Sequence, residues 1–417
     1  MKKLKAGTLQ LVTFIMVVIA LLLASFLILN HVHKQFRLQT FHTIEMIHLS
    51  NTGISHSLSQ VDTIIDTLTI PLFDEAYKSL KIKTDFWGIY EKVYSQASIK
   101  QKTFSKIALI GKEQSQTKTA LYLKDNNRPL VVVGHTKIKG QTYLPERGVK
   151  SGNISGHAYY GQTFLDGVTK TIQDFPKLSS DLRAHINSLA KQYTENQNDV
   201  MYFGLNTRKV VNSFKNKLLI TYSLNDIELS EIHLSGYIII QSNTKIIVDE
   251  TSTLKDVILI APVIEVKKNV NSTFQALATE RIIVAENVKL NYPSALVLLN
   301  DNKKENYKTS HFLEIKSNSH IKGSVLCLGK TQKNNTDIQL KIDNNVLVEG
   351  EIYCQQNLEL RGTVVGSVYT NNFIVKENGT TYQNHLYNGK INANLLTIQY
   401  VGLAFDDSSK NVMKWLY

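Results

Sequence analysis

Two short stretches repeat one phrase: "IKGSVLCLG" begins at Ile321 and "VEGEIYCQQ" begins at Val348. Each has a branched apolar residue two positions before a glycine, another two positions after it, and a cysteine four positions after it. These cysteines, Cys327 and Cys354, are the only two in the chain. Side chains at such even offsets leave a strand on the same side. The phrase therefore predicts strands that stack in register and share an inward face.

The pattern of branched apolar residue, any residue and glycine returns in other parts of the chain: Ile138-Lys139-Gly140, Ile154-Ser155-Gly156, Leu234-Ser235-Gly236 and Leu360-Arg361-Gly362. Short β-branched strands lie between these sites, without the crossover helices of a Rossmann-type fold. We predict a mainly β chain, with a right-handed parallel β-helix, or solenoid, over residues 129–395. The stretch "FPKLSSDLRAHINSLAKQY" predicts a helical insertion near residues 176–195, on the solenoid surface or as a cap on a strand edge.

The two cysteines are predicted to lie on adjacent coils of this solenoid, about 4.8 Å apart by the strand spacing. That distance permits a disulfide, and an extracytoplasmic compartment favours oxidation. Parallel side chains in register aim in the same direction, however, which strains the bridge. We therefore expect Cys327 and Cys354 to act as small apolar core residues.

The I-x-G-x-V phrases resemble the repeats of bactofilin-type, polymer-forming β-helices, over residues 130–165 and 230–390. The resemblance implies a stacked apolar core and filament growth from uncovered terminal coils. This chain departs from the family in its helical insertion and long loops, which argue against end-to-end growth.

The N-terminus begins with the basic leader "MKKLKAG", and no charged residue follows between Thr8 and Leu29. About 20 apolar residues in a helix match a hydrocarbon core near 30 Å thick. We predict a cytoplasmic leader at 1–7 and a transmembrane helix at 8–30 in contact with the lipid bilayer. Lysines in the leader keep it cytoplasmic, so the C-terminal domain lies outside a bacterial inner (cytoplasmic) membrane.

The same segment resembles the class III signal of type IV pilins and secretion pseudopilins, in which a basic leader ends at a glycine before an apolar helix. The resemblance implies cleavage between Gly7 and Thr8, followed by helix-driven assembly. The family's usual glutamate at the fifth mature position falls at Val12 here. A plain signal-anchor is the alternative.

Beyond the membrane, apolar residues return at steps of 4, 3, 4 and 3 from Ile54 to Leu68, as on one face of a coiled coil. They predict a stem helix over 31–71 that ends at Pro71. The stem either self-associates or folds back on its own domain. Alternating strands predict a small β subdomain or cap at 73–128, and residues 396–417 form a C-terminal tail or cap.

Candidate sites are sparse. "SGHAYYGQ" places His157 near Tyr159 and Tyr160, a weak candidate for binding a sugar or peptide against an exposed-turn interpretation. Acidic residues such as Glu349 and Glu351 form no catalytic signature and are predicted to be solvated turn residues. We predict no catalytic residues, no cofactor and no metal site. The net charge of +12 comes from scattered lysines, so no nucleic-acid partner is expected.

These patterns predict a membrane-anchored, extracytoplasmic structural or assembly protein rather than an enzyme. Its predicted partners are other envelope proteins, with a minor pilin- or pseudopilin-like component of an envelope or secretion apparatus as one form. The alternative is a β-helical enzyme or adhesin that acts on envelope or extracellular polysaccharide.

Overall fold

A computed structural model of the chain describes residues 6–60, 67–70, 77–171, 175–191, 200–202, 204, 207–300, 311–330, 335–405 and 409–416. The chain divides into two compact units. The first contains the N-terminal helix together with Thr67–Lys83 and Tyr94–Lys106. The second consists mainly of Thr84–Val93 and Ile107–Tyr417.

The N-terminal helix, α1, is continuous over Ala6–Ser59. The predicted stem end at residue 71 is wrong, because Thr67–Ile70 forms a strand that pairs antiparallel with Leu80–Lys83. Val61, Ile65 and Pro71 of the predicted helix lie outside the described residues. The helix α2 covers Ser180–Leu189, inside the predicted insertion, and the Ser179 hydroxyl caps it by accepting a bond from the backbone N–H of Leu182. A short 3₁₀ turn covers Ala393–Leu395.

The described residues form these strands in chain order: β1 (Thr67–Ile70), β2 (Lys78–Trp87), β3 (Tyr90–Ile99), β4 (Lys102–Glu113), β5 (Thr119–Leu123), β6 (Leu130–Val133), β7 (Lys137–Lys139), β8 (Gln141–Leu144), β9 (Val149–Ser151), β10 (Asn153–Ile154), β11 (His157–Ala158), β12 (Thr169–Thr171), β13 (Val200–Tyr202), β14 (Lys209–Asn212), β15 (Leu218–Ser223), β16 (Ile227–Leu229), β17 (His233–Gly236), β18 (Ile238–Ser242), β19 (Lys245–Val248), β20 (Thr253–Val266), β21 (Asn271–Val284), β22 (Lys289–Asn300), β23 (Phe312–Ile315), β24 (His320–Gly329), β25 (Leu340–Ile342), β26 (Leu347–Leu360), β27 (Thr363–Glu377), β28 (Thr380–Gln383), β29 (His385–Tyr387), β30 (Lys390–Asn392), β31 (Val401–Gly402) and β32 (Lys410–Leu416). The prediction of a mainly β chain with one long apolar N-terminal helix is confirmed.

Most strands of the second unit pair in parallel and form three ladders. One ladder runs through β14, β17, β20, β21, β22, β24, β26, β27, β30 and β7. A second runs through β13, β15, β18, β20, β21, β22, β24, β26, β27, β5, β8 and β12. A third runs through β16, β19, β20, β21, β23, β25 and β26. We refer to these ladders together as the parallel stack.

The order of strands in the parallel stack does not follow the chain. Strand β5 pairs with β27, near the C-terminal end of the stack, and β8 and β12 follow on its far side. The predicted β subdomain at 73–128 is therefore wrong in its boundary, since Thr119–Leu123 belongs to the stack. Helix α2 lies between β12 and β13 in the chain, and these two strands are the ends of the second ladder.

The core of the stack is the inward face predicted from the repeated phrase. Ile321 and Val325 are buried, as are their partners Val348 and Ile352 in the next strand. They belong to one apolar cluster that also contains Phe274. Each strand supplies half of its side chains to this cluster, and only stacking on its neighbours covers them.

The C-terminal segment predicted as a tail or cap at 396–417 contains two strands. Strands β31 and β32 both pair antiparallel with β4, Gly402 opposite Lys112 and Leu416 opposite Ile107. These pairings provide partners for backbone groups along that edge of β4.

Candidate functional site

The first half of α1 exposes an unbroken apolar surface. Leu9 is 74% exposed and Phe26 is 65% exposed. An 18-residue window of this helix is long and apolar enough to cross a membrane, and none of it is buried. Helical geometry pairs the backbone groups internally, which leaves only apolar side chains for the surroundings. Soluble proteins seldom expose so large an apolar patch, so this surface is a candidate membrane interface.

The second half of α1 packs against strands of its own unit. Met46 and Ile54 are buried, and Lys106 donates a hydrogen bond to Asn51 Oδ1 at 2.5 Å. A Cβ atom at Gly53 would lie 2.1 Å from Ser95 Oγ, so a larger residue would have to displace the Ser95 side chain. Ile54, the first residue of the predicted coiled-coil face, is therefore covered within its own unit, as the fold-back alternative predicts.

Small residues form part of the contact face on this half of α1, together with larger apolar ones. Ser50 and Gly53 are buried beside Met46 and Ile54, whereas Ile44 is half exposed. Residues 45–56 fit the fold-back alternative, because strands of the same unit already cover their contact face.

The predicted leader cleavage position lies in the exposed part of α1. Gly7 and Thr8 are exposed helical residues, and no atom beyond the adjacent helix backbone lies within 4 Å of the position that a Cβ on Gly7 would take. Residues 1–5 of the predicted leader lie outside the described residues.

The strand register pairs Cys327 directly with Cys354. Both thiols are free and buried in the apolar cluster of the stack. Cys327 Sγ donates to Gln356 Oε1 at 3.5 Å. The hydrogen bond with Cys354 and, next, burial raise the pKa of the Cys327 thiol well above its usual range. Because the thiolate is the reactive form, Cys327 suits packing rather than catalysis.

The His157 cluster is only partly assembled. His157 Nδ1 lies 3.4 Å from the Tyr160 hydroxyl, and the Tyr160 ring lies 5.0 Å from the ring of His135. Tyr159 points elsewhere, because its hydroxyl donates to the carbonyl of Thr163 at 2.6 Å. All of these residues except the partly covered Tyr159 are exposed, so His157 and Tyr160 form a surface patch.

Glu351 corrects the prediction of solvated acidic turn residues. Its side chain is buried, and its Oε2 accepts a 2.7 Å hydrogen bond from the backbone N–H of Leu403. Burial raises the pKa of this carboxyl, against the lowering effect of that hydrogen bond and of Lys112. Glu351 points away from the stack core, as predicted by its odd offset from Val348, but the C-terminal segment covers it. It therefore holds the segment that contains Leu403 on the stack.

A cavity of about 730 Å³ opens on the outer face of the parallel stack. Four of its lining residues are basic, Lys124, Lys177, Arg183 and Lys330, and none of the described lining residues is acidic. Each comes from a different place in the chain: after β5, before α2, within α2 and after β24. The amino-acid sequence does not predict this cluster, because no local motif contains it. We refer to it as the basic cavity.

Contacts of two residues, Gln355 and Tyr353, order the wall of the basic cavity. Gln355 Oε1 accepts from the Gly329 N–H at 3.1 Å and from Arg183 Nη1 at 3.4 Å. The ring of Phe175 packs at 5.4 Å from the ring of Tyr353, whose hydroxyl donates to the Pro176 carbonyl at 2.7 Å. An apolar ring and a tethered guanidinium thus face one space. Among the described residues, no group of three His, Cys, Asp or Glu side chains could hold a metal ion.

Comparison with known proteins gives no family for this chain. No family model matches it, and no curated protein matches it. Among solved structures, it is similar to the competence-associated pilin ComZ from Thermus thermophilus, with 9% identity over 85% of this chain and 86% of that chain, at a TM-score of 0.28. So low a TM-score does not establish a common fold. None of these comparisons supports the bactofilin-type resemblance.

Proposed function

We propose that this chain is a membrane-anchored, extracytoplasmic structural or assembly protein. The exposed apolar half of α1 carries the proposal, because only lipid or other apolar helices can cover that surface at low cost. Lys2, Lys3 and Lys5 before the helix favour a cytoplasmic N-terminus in the inner membrane of a bacterium. The proposal assigns no catalytic step to the chain.

The proposed form is pilin- or pseudopilin-like. Its support is the continuity of α1, in which a free apolar half leads directly into a half that packs on strands of the same unit. In such an arrangement the free half is available to a bilayer or to apolar helices of other envelope proteins, whereas Met46 and Ile54 are already covered.

We also propose that the parallel stack winds as a right-handed β-helix. Strands β20, β21 and β26 each contribute to all three ladders, so one strand bends around the core rather than staying in a single sheet. Parallel connections of the right hand are by far the commoner kind. An experimental structure of the second unit tests both the winding and its hand, and flat, separate sheets would contradict it.

The mass of the mature N-terminus, measured on protein purified from membranes, tests the anchor and its form. A chain that begins at Thr8 supports the pilin-like form, because the leader has then been removed and the apolar helix retained. An intact Met1 supports a plain signal-anchor and rules out the pilin-like form. A chain that begins near residue 30 contradicts the anchor itself, since the apolar segment would then be absent from the mature protein.

A further inference from the structure

We propose that the basic cavity binds an acidic saccharide, with its carboxylate among the four basic side chains and its ring against Phe175. The site is separate from the proposed membrane interface. The choice of a saccharide rests on the extracytoplasmic location proposed above, because sugars with acidic groups are among the anions that an envelope protein meets.

The charge of the cavity identifies an anionic ligand. No described carboxylate forms an ion pair with the ammonium groups of Lys124, Lys177 or Lys330. Like charges that converge on one concave space repel each other, and an anion that enters relieves this repulsion. Ser180 at the N-terminus of α2 adds the positive end of a helix dipole to the same wall.

The shape of the cavity identifies a ligand larger than a bare oxyanion. A volume of about 730 Å³ lies within the range of sites for small organic ligands, roughly 300–1,000 Å³. Phe175 and Leu178 form an apolar part of the wall. An aromatic ring beside polar groups can pack on the C–H face of a sugar while the lysines hold its carboxylate.

The wall is also preorganised. Gln355 joins Arg183 to the backbone of Gly329, and Tyr353 fixes both the Phe175 ring and the Pro176 carbonyl. The guanidinium of Arg183 therefore occupies a set position, and the three lysines supply flexible charges around it.

Calorimetric titration of the full chain in a non-ionic detergent tests this assignment, with trigalacturonate as the probe and the neutral galactose trisaccharide as its control. The test variant carries Lys124→Gln, Lys177→Gln and Lys330→Gln. The matched variant carries Lys209→Gln, Lys255→Gln and Lys289→Gln, three exposed lysines elsewhere on the stack. Both variants lose the same net charge, so a difference between them measures the cavity rather than the overall charge.

The expected result is binding of trigalacturonate that the cavity variant weakens roughly tenfold or more, and the matched variant about twofold or less. The neutral trisaccharide binds at least about tenfold more weakly than trigalacturonate. Phe175→Ala weakens trigalacturonate binding and leaves the affinity for inorganic phosphate unchanged. Far-ultraviolet circular dichroism verifies that each variant is folded.

Several outcomes overturn the assignment: no binding of trigalacturonate, equal losses in the two triple variants, or equal affinity for the neutral sugar. Phosphate that binds as tightly as trigalacturonate would show a simple oxyanion site and remove the saccharide. Since the titration uses solubilised protein, its failure leaves the membrane anchor untouched. A failure of the anchor appears instead in the mass of the N-terminus.

Discussion

The first half of α1 and the core of the parallel stack are both strongly apolar, yet the structure treats them in opposite ways. Residues such as Phe14 and Leu22 are about two-thirds exposed, whereas Ile264 and Phe373 of the stack are fully buried. The helix pairs its backbone within itself and leaves its side chains uncovered. The stack covers its side chains only through neighbouring strands. Apolar composition alone therefore does not distinguish a core from a lipid-facing surface. The periodicity of the apolar residues and the pairing of the backbone do distinguish them.

An aspartate placed in each region separates the two roles most strongly. Ile264→Asp places an unpaired charge in the stack core, so we expect loss of the folded second unit. Val18→Asp with Leu22→Asp leaves the stack intact but opposes membrane insertion by about 2.5–3.5 kcal/mol per residue. Membrane fractionation and circular dichroism report the two losses. The comparison fails if the α1 variant unfolds the stack or the Ile264 variant leaves it folded.

Removal of a phenylalanine ring gives a smaller contrast. Phe274 is 1% exposed inside the stack cluster, so Phe274→Ala should lower the free energy of unfolding by about 3–5 kcal/mol. Phe14→Ala, on the exposed helix, should change it by less than about 0.5 kcal/mol. Denaturant titration in detergent measures both values, and similar losses would show that the helix shares the core of the stack.

Glycine-to-alanine substitution applies the same contrast to the backbone. Gly350 has a φ of 144°, and a Cβ there would lie 1.9 Å from the carbonyl oxygen of Gly323. Gly350→Ala should therefore cost at least about 1–3 kcal/mol of unfolding free energy. Gly7→Ala, whose Cβ would meet no atom beyond the adjacent helix backbone, should be neutral or slightly stabilising. Equal unfolding free energies for the two variants, measured by denaturant titration, would contradict the close packing of strands at Gly350.

Helix α2 should make the second unit sensitive to mild acid. Burial and, second, the charge of Lys92 lower the pKa of His185 from 6.5 to about 4, and its ring stacks on Phe86. The folded state then binds fewer protons than the unfolded state between these values, so stability falls as the pH falls from 6.5 to about 4. We expect the free energy of unfolding to fall by about 1–3 kcal/mol over this range, and His185→Gln should abolish this fall. Denaturant titration at several pH values measures the fall. A wild-type denaturation midpoint that stays constant across this range would exclude the effect.

Glu351 should act in the opposite direction with a smaller effect. Burial raises its pKa above the usual 4.5, so the folded state binds more protons than the unfolded state above that pH. Stability is fully present below pH 4.5 and falls as the pH rises through the raised value. Glu351→Gln should remove this fall, because the amide oxygen can still accept from Leu403. Thermal unfolding midpoints of wild type and variant between pH 4 and 8 measure this pH dependence. Midpoints that change with pH in the same way in both proteins would contradict it.

The sequence predicts local features of the stack better than its order. The repeated phrase at Ile321 and Val348 predicts which side chains share a face, because the parity of a strand is a local property. It does not predict that β5 pairs with β27, because the phrase carries no information on which strand is the neighbour in space. The spacing is also irregular: 27 positions separate Ile321 from Val348, and 16 separate Val348 from its next partner, Val364.

Long-range contacts also explain what the sequence missed at the candidate sites. Glu351 follows the parity of an outward residue, and its burial depends on Leu403, which is far along the chain. The strand order brings Lys124, Arg183 and Lys330 together in the basic cavity, so no local sequence motif predicts it. The end of α1 at Ser59 has a similar cause, because Thr67–Ile70 finds a strand partner in β2.

Alkaline extraction of membranes, followed by protease treatment of intact spheroplasts, tests the anchor most directly. We expect the chain to stay in the membrane pellet at high pH. We also expect external protease to digest the parallel stack while the inner membrane is intact. Release of the chain into the alkaline supernatant, or a stack that is digested only after lysis, would contradict the proposed anchor and its orientation.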